Sequence, residues 1–509
     1  MVDDISRRGV LRSAGAALSG GIATGIGSKS AAAAMGRWDQ DEAPPVRWHA
    51  TVGTDDVNES VGIRAEDGRL AVGGGSWDDY DEVDPWSVTV DATDGSNPSH
   101  ATLDVEGQFL TQGSVPVAGG GRLYLGNRTL EPDIEDATSE PMLVASGEDG
   151  ETAWQRTYEP PFEMFSAAAL APGPSGGAVF VGYSVDIDNP NTWVAAVDAE
   201  GNVRWEQQLD EFFATFATGI EPTGDGGYLV YGSTMRGEQW DIDRQDGWAA
   251  RISAEGDPQW SQRYRQRSAG GQSEYHRFVD AVETGSGYLL VGDLAPSADD
   301  AATRGWAVTV DSEGERLYTA LDRPGTDGGG KFVAAVPYGD EFALVGSAYR
   351  SDDRVVETPW ILGVDATLST NWDVLDPLDQ SAVVRDAVAA AGGGIALAGN
   401  HDTEDGWSEP FVAKLGGDPA ETPTPSSTPT PTPSPSPTPT AAPSPTPTDA
   451  ATRSSTPAQT RTADDAAEAE DAPATSSGDG PGFGVGATLA ALGSVGALLR
   501  RSQAPTDEE

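Results

Sequence analysis

Two groups of side chains in this sequence have the types and spacing that chemistry needs. Carboxylates stand at alternate positions in two loops, Asp186 with Asp188 and Asp241 with Asp243. On an extended segment, side chains two apart point the same way. Each pair could therefore offer oxygens to one hard cation, with water and carbonyls filling calcium's roughly six to eight positions. Neither pair has EF-hand spacing, so calcium is an optional guest and no cofactor is required. The second group is the basic stretch RYRQRSAGGQSEYHRF, residues 263–278. It puts Arg265, Arg267 and Arg277 with Tyr275 and His276 on one connection, where guanidinium forks could grip an anion or an acidic glycan while the Tyr275 ring stacks on it. The plainer alternative pairs these arginines with nearby carboxylates and makes the acidic loops a hydrated rim.

What is missing narrows the chemistry further. There is no cysteine, which removes disulfides and thiolate catalysis. The four histidines, His49, His100, His276 and His401, form no HExxH motif and no metal-spaced cluster, and no Gly-x-Ser-x-Gly elbow occurs. With 81 Asp and Glu against 31 Lys and Arg, the formal net charge is −50. That argues against nucleic acid as a partner, because phosphate backbones are held by Lys and Arg. Lysine occurs only at Lys29, Lys331 and Lys414. Such acid excess with so little lysine resembles the proteins of halophilic archaea. In ~1 M salt, charges are screened within about 3 Å, so crowded carboxylates hold water while barely repelling one another.

The elements that must position these groups repeat. A short apolar run ending in glycine recurs seven times: GRLAVGG (68–74), GRLYLGN (121–127), GAVFVGY (177–183), GYLVYGS (227–233), GYLLVGD (287–293), EFALVGS (341–347) and GIALAGN (394–400). Each is followed by a run opening on a large apolar residue, namely Trp86, Met142, Trp193, Trp248, Trp306, Trp360 and Phe411, at intervals of 51 to 58 residues. Such periods mark propeller-type repeats. A polar turn with glycine then leads to an aromatic four residues later, as in Gly201 to Trp205 and Gly256 to Trp260. Leu103 is the best match in the irregular first copy, and Leu368 replaces the glycine in the sixth. With a Val/Ala/Phe-rich strand before each glycine-ended run, such as FVDAVE (278–283) or VVRDAV (383–388), every unit has four strands. The seventh unit stops after FVAKLGG (411–417), whereas VRWHATV (46–52) is a unit's last strand without its beginning. The expected fold is all-β: a seven-bladed β-propeller over 36–417, closed by an N-terminal strand, with its acidic second-to-third-strand loops on one face.

The turn and tryptophan of VDAEGNVRW (197–205) resemble blades of propellers related to the quinone-binding (PQQ-like) dehydrogenases, over roughly 46–417. The resemblance implies that such tryptophans dock neighbouring blades together. Those dehydrogenases use calcium, quinone ligands and commonly a vicinal cysteine pair; this chain has no cysteine. The likeness is therefore one of fold.

The chain ends carry different signals. Residues 1–35, with Arg7-Arg8 before a Gly/Ala/Ile run, resemble a twin-arginine export signal, which implies a twin-arginine translocase as partner. Residues 418–480 are rich in Thr, Pro and Ser, cannot bury a core, and read as a disordered stalk whose hydroxyls suit O-glycosylation. In 481–509, Pro481-Gly482-Phe483 precedes an uncharged transmembrane segment and then Arg500-Arg501, which resembles the PGF-type sorting signal of archaeal surface proteins. That family's signal implies an archaeosortase partner and a lipid anchor in the membrane. Asn58 and Asn127 head glycosylation sequons that export would expose.

The expected place of work is the extracellular face of the cell membrane. The first functional expectation is a cell-surface binding or interaction module for an envelope or extracellular ligand, a surface protein or glycan. The alternative is an extracellular polysaccharide hydrolase or lyase using carboxylates with His276 and Arg277. Paired carboxylates in a pocket at the propeller axis would favour the enzyme, and an apolar plug would argue against it.

Overall fold

The computed structural model describes residues 43–417 apart from 53–56, 67, 79–81, 106–107, 118–120, 130–138, 148–149, 163–164, 185–190, 213, 237–243, 267–274, 296–302, 323–328, 350–356, 380 and 403–407. Contacts divide the chain into Met1–Ala420 with Val485–Glu509 and, separately, Glu421–Gly484; every described residue belongs to the first unit. Arg7, Arg8, the stalk and Pro481-Gly482-Phe483 thus lie outside the described residues. Among the described residues no helix is long and apolar enough to cross a membrane.

The fold is all-β and propeller-like, built from four-stranded antiparallel sheets. In the third repeat, Phe165–Pro172, Ala178–Ser184, Thr192–Val197 and Val203–Leu209 pair in sequence order, and the other repeats follow the same meander. The two middle strands of the third repeat, AVFVGYS and TWVAAV, are buried at every position, because neighbouring sheets cover both their faces. Hence their near-continuous apolar runs. The outer strand VRWEQQL is partly exposed and mixes polar with apolar residues. The sheets of the fourth and fifth repeats are joined by a single parallel bridge, Gln245 to Tyr275.

The recurring glycine of each second strand has a steric cause. Every first strand carries a bulge, for example between Phe332 and Ala334, and there its backbone crosses close over the second strand. A Cβ on Gly346 would lie 1.8 Å from the Lys331 carbonyl oxygen. The large apolar residue opening each third strand fills the wedge between sheets. Trp306 stacks on Phe278 at 4.5 Å and Trp360 on Phe332 at 4.8 Å, all four buried.

The core is a series of such wedges, one between each repeat and the next. The last one joins the seventh repeat to the first: Ala396, Ala398 and Val412 pack with Ile63, Leu70, Val72 and Trp86. The strand Val46–Thr51 pairs antiparallel with Ser408–Leu415, Trp48 opposite Lys414 and Thr51 opposite Phe411, so the amino-terminal segment supplies the seventh repeat's missing strand.

The outer-strand tryptophans dock on the hairpin glycine of the next repeat. Trp48 lies over Gly95, Trp154 over Gly201, Trp205 over Gly256 and Trp260 over Gly314. Each of these glycines has φ between 71° and 90°, and an added Cβ would come within 2.7 to 2.9 Å of the ring at Gly95, Gly201 and Gly314 and 2.6 Å at Gly256. Both the turn and the packing therefore require glycine. The expectation for Leu103 is corrected: Ala101 is the residue facing the hairpin Gly150, and Leu103 is buried in the wedge behind it. At the sixth hairpin, Leu368 adopts φ 62° in place of glycine.

Candidate functional site

The first strands converge on the centre of the propeller-like arrangement, and their bulges define equivalent positions. The residue after the bulge is Gly62, Gly113, Ala169, Gly219, Asp280, Ala334 or Asp386 in the seven repeats. Two of these are therefore carboxylates. Two residues on, hence on the same face, the first and fourth repeats carry Arg64 and Glu221 where the others have apolar residues. Although the four come from four different repeats, Arg64 feels the charges of Glu221, Asp386 and Asp280 together. Arg64 is 39% and Asp386 22% exposed at their side chains, though both lie deep among the strands; water reaches this centre.

The two aspartates have matching tasks. Asp386 Oδ2 accepts the N–H of Ile63 at 2.9 Å, and Asp280 Oδ2 accepts the N–H of Ala335 at 2.7 Å, each staple reaching the bulge of the next repeat. Asp386 Oδ1 accepts from Ala387 N at 2.8 Å, and its Oδ2 lies 3.7 Å from Arg64 Nη1. Asp280 Oδ1 accepts from the Tyr231 hydroxyl at 3.4 Å. Burial pushes the Asp280 carboxyl well above its ordinary range, and the nearby Glu221 and Asp386 charges push it further. Burial likewise raises Glu221 and Asp386, with Arg64 pulling both back. Burial and the Asp280 charge hold the Tyr231 phenol protonated. Glu221 is the one carboxyl of the three whose side chain makes no hydrogen bond among the described residues.

The predicted basic stretch splits in two. Tyr275, His276 and Arg277 start the strand Tyr275–Thr284, the first two buried and Arg277 half-buried. The His276 ring is fully buried, with Nδ1 3.1 Å from the Gln245 carbonyl and Nε2 3.1 Å from both the N and O of Gln266. Arg277 donates to the buried carboxylate of Asp293 at 3.1 Å. That charge beside it holds its guanidinium protonated against the opposing effect of burial. His276 and Arg277 are thus bonded inside the protein, whereas the sequence led us to expect all three as ligand-binding residues. Arg267 lies outside the described residues.

Arg265 is exposed and stands in a cleft of about 840 Å³ where the fourth and fifth repeats meet. Its charged lining is Arg236, Arg263, Arg265 and Arg316 against Asp246 and Glu315. Arg236 Nε bonds Asp246 Oδ1 at 2.5 Å, Arg263 lies over the Phe212 ring at 4.5 Å, and Arg316 Nη1 donates to the Arg265 carbonyl at 2.9 Å. The wall is fixed from behind, since Trp260 Nε1 donates to Ser312 O at 2.8 Å and the Tyr264 hydroxyl to Gly314 O at 2.7 Å. Gln262 and Gln266 add neutral amides to the lining. Sequence reasoning missed Arg236 and Arg316, which come from other strands.

Asp186, Asp188, Asp241 and Asp243 lie outside the described residues, among which no group of three or more His, Cys, Asp or Glu could hold a metal ion. Asn58 is on the strand Val57–Glu66. The glycan expectation is corrected at Asn127, whose side chain is buried with Nδ2 donating to Ala167 O at 3.3 Å and Oδ1 accepting Ala167 N at 2.8 Å. A sugar on Nδ2 would displace that link between repeats.

No protein-family model matches the chain, and no curated protein matches it in sequence. Solved structures do resemble it in outline. The polysaccharide lyase Uly1 aligns at 9% identity over 70% of this chain and 89% of its own, with a TM-score of 0.45. A Trypanosoma rangeli sialidase in complex with sialic acid aligns at 11% identity over 77% and 59%, at 0.39. The PQQ-bound aldose sugar dehydrogenase of Streptomyces coelicolor aligns at 11% over 73% and 100%, at 0.34. Likeness this slight leaves the function of the chain to its own residues.

Proposed function

We propose that this chain is a seven-bladed β-propeller, closed by Val46–Thr51, that acts as a binding module for an envelope or extracellular ligand. In this reading a twin-arginine translocase exports it, the 418–480 stalk holds it off the surface, and an archaeosortase exchanges 481–509 for a lipid anchor on the outer face of the membrane. The observation that carries binding over catalysis is the engagement of the central aspartates: both oxygens of Asp280 and of Asp386 already accept hydrogen bonds from protein. Those bonds commit both carboxyls to joining neighbouring repeats. Retention of one envelope component by the immobilised chain, without turnover of it, is the expected result; no retention at any salt concentration overturns the reading.

Glu221 supports the second reading, a polysaccharide hydrolase or lyase. It is a carboxyl with a raised pKa and no side-chain hydrogen bond among the described residues, near the cation of Arg64. Incubation with extracted envelope polysaccharide separates the two. Chain scission abolished by Glu221→Gln would establish the enzyme, whereas unchanged polysaccharide length with the parent protein leaves binding.

A further inference from the structure

We infer that the cleft between the fourth and fifth repeats is a binding site for an acidic polysaccharide, one bearing carboxylate or sulfate groups along a hydroxyl-rich chain. The inference rests on the binding-module reading and deepens it by naming the site and the ligand class.

Its first support is local charge. Over the whole chain acids exceed bases, 81 to 31, yet in this cleft four arginines face two carboxylates. Random placement on so acidic a protein gives the opposite ratio. The second support is what those arginines do. Arg236 is committed to Asp246. The guanidinium of Arg265 has no partner among the described residues, that of Arg316 donates to a backbone carbonyl, and that of Arg263 rests on the Phe212 ring. None of the three is paired with a carboxylate among the described residues, in a molecule crowded with them. Arginines kept for internal use look different here, as Arg277 with Asp293 and Arg122 with Glu66 show.

The third support is shape and mixture. At about 840 Å³ the cleft lies within the range that holds a small ligand or a segment of a longer one. Its guanidinium forks match planar carboxylates and tetrahedral sulfates in bidentate fashion, while the amides of Gln262 and Gln266 suit sugar hydroxyls. A polysaccharide presents hydroxyls on every residue beside its charges, whereas an acidic protein offers them only at Ser, Thr and Tyr. The wall is rigid, tied by Trp260 and Tyr264 to the hairpin of the next repeat, so little ordering is needed on binding.

The test is titration of the intact chain with four polymers: polygalacturonate, dextran sulfate, neutral dextran and polyglutamate. Binding of either acidic polysaccharide, with neutral dextran and polyglutamate at least tenfold weaker, is expected, and the two acidic arms tell carboxylate from sulfate. Arg265→Ala and Arg316→Ala should each weaken that binding at least tenfold, Arg265→Lys by an intermediate factor, and Arg204→Ala on another outer strand should leave it unchanged. Unaltered thermal melting confirms that the variants fold. The inference is overturned if no polyanion binds, if polyglutamate binds as well as the polysaccharides, or if Arg204→Ala weakens binding as much as the cleft variants. Retention of an envelope component that is indifferent to Arg265→Ala and Arg316→Ala would sink the cleft alone; loss of all retention would sink the module.

Discussion

Asp386 and Arg265 are both charged side chains near strand ends or bulges, and their surroundings could hardly differ more. Asp386 stands at the centre, with Ile63 N, Ala387 N and Arg64 around it. Arg265 stands in an open cleft at the rim with its guanidinium unpaired among the described residues. At the centre, the two aspartates are held by backbone N–H groups and the reward is registry between repeats. At the rim, charge is left unanswered on a wall made rigid by other residues. Charge used for structure is saturated by its own protein, and charge kept for recognition is not.

The most severe way to break this contrast is at the centre. Asp386→Ala removes the acceptor of two backbone N–H groups and strands Arg64 between fewer carboxylates, which should cost about 2–4 kcal/mol in equilibrium unfolding. Asp386→Asn keeps an acceptor oxygen and should cost about 1 kcal/mol. A loss below about 0.5 kcal/mol for the alanine variant would show that the staple does not hold the repeats together.

Next in size is the docking of one repeat on another. Trp205→Ala removes a half-buried ring from Gly256 and its hydrogen bond to Ala254 O, and should destabilise by about 2–3 kcal/mol without touching ligand binding. Trp260→Ala makes the same deletion at the wall of the cleft, so it should weaken both stability and polyanion binding. Equal effects of the two on binding would deny the cleft its special place.

Proton linkage separates the regions more gently. The Asp280, Glu221 and Asp386 carboxyls have folded-state pKa values raised above their unfolded values. Folding therefore takes up protons: these groups contribute stability that is fully present below about pH 4 and is lost as pH rises from there through the raised values. The hairpin carboxyls Asp198 and Asp365 run the other way. Asp198 accepts from the Asn202 backbone, and Asp365 from the Thr367 hydroxyl and the Ser369 backbone; both pKa values are lowered, so their share is lost only as pH falls below about 4. His49, whose pKa burial lowers, also favours higher pH. The informative quantity is thus a difference. Stability of the parent minus that of Asp280→Asn should decline as pH rises above about 4, and a flat difference would place Asp280 in an ordinary aqueous setting.

The two regions were not equally legible. The repeat, its four strands and the amino-terminal strand of the seventh sheet could be read because they depend on local patterns, apolar runs ended by glycine and tryptophans at fixed spacing. The central carboxylates were visible and overlooked. FVDAVE and VVRDAV each put an aspartate just after the bulge, among the Val, Ala and Phe of a first strand, a signal that something polar awaits it inside. A bulge just before that aspartate shifts the two-residue alternation, so periodicity alone gives the wrong face. The internal bonds of His276 and Arg277 were not legible in the basic stretch because their partners Gln245 and Asp293 belong to other strands. The cleft itself could not be assembled from sequence: Arg316 reaches Arg265 from the next sheet, 51 residues along the chain.

The smallest expected effect in unfolding is the one that sharpens the contrast most. Arg265 touches no carboxylate among the described residues, and its carbonyl, the group Arg316 bonds, survives any side-chain change. Arg265→Ala should therefore alter unfolding free energy by no more than about 0.5 kcal/mol. Losing one cation trades relief among neighbouring arginines against added repulsion in a chain of formal net charge −50, so the two effects oppose each other and both fade as salt rises. A destabilisation of the size foreseen for Asp386→Ala would mean that Arg265 is one more internal fastening. In that case the surplus of arginine at this cleft would belong to the architecture, as the charges at the centre do.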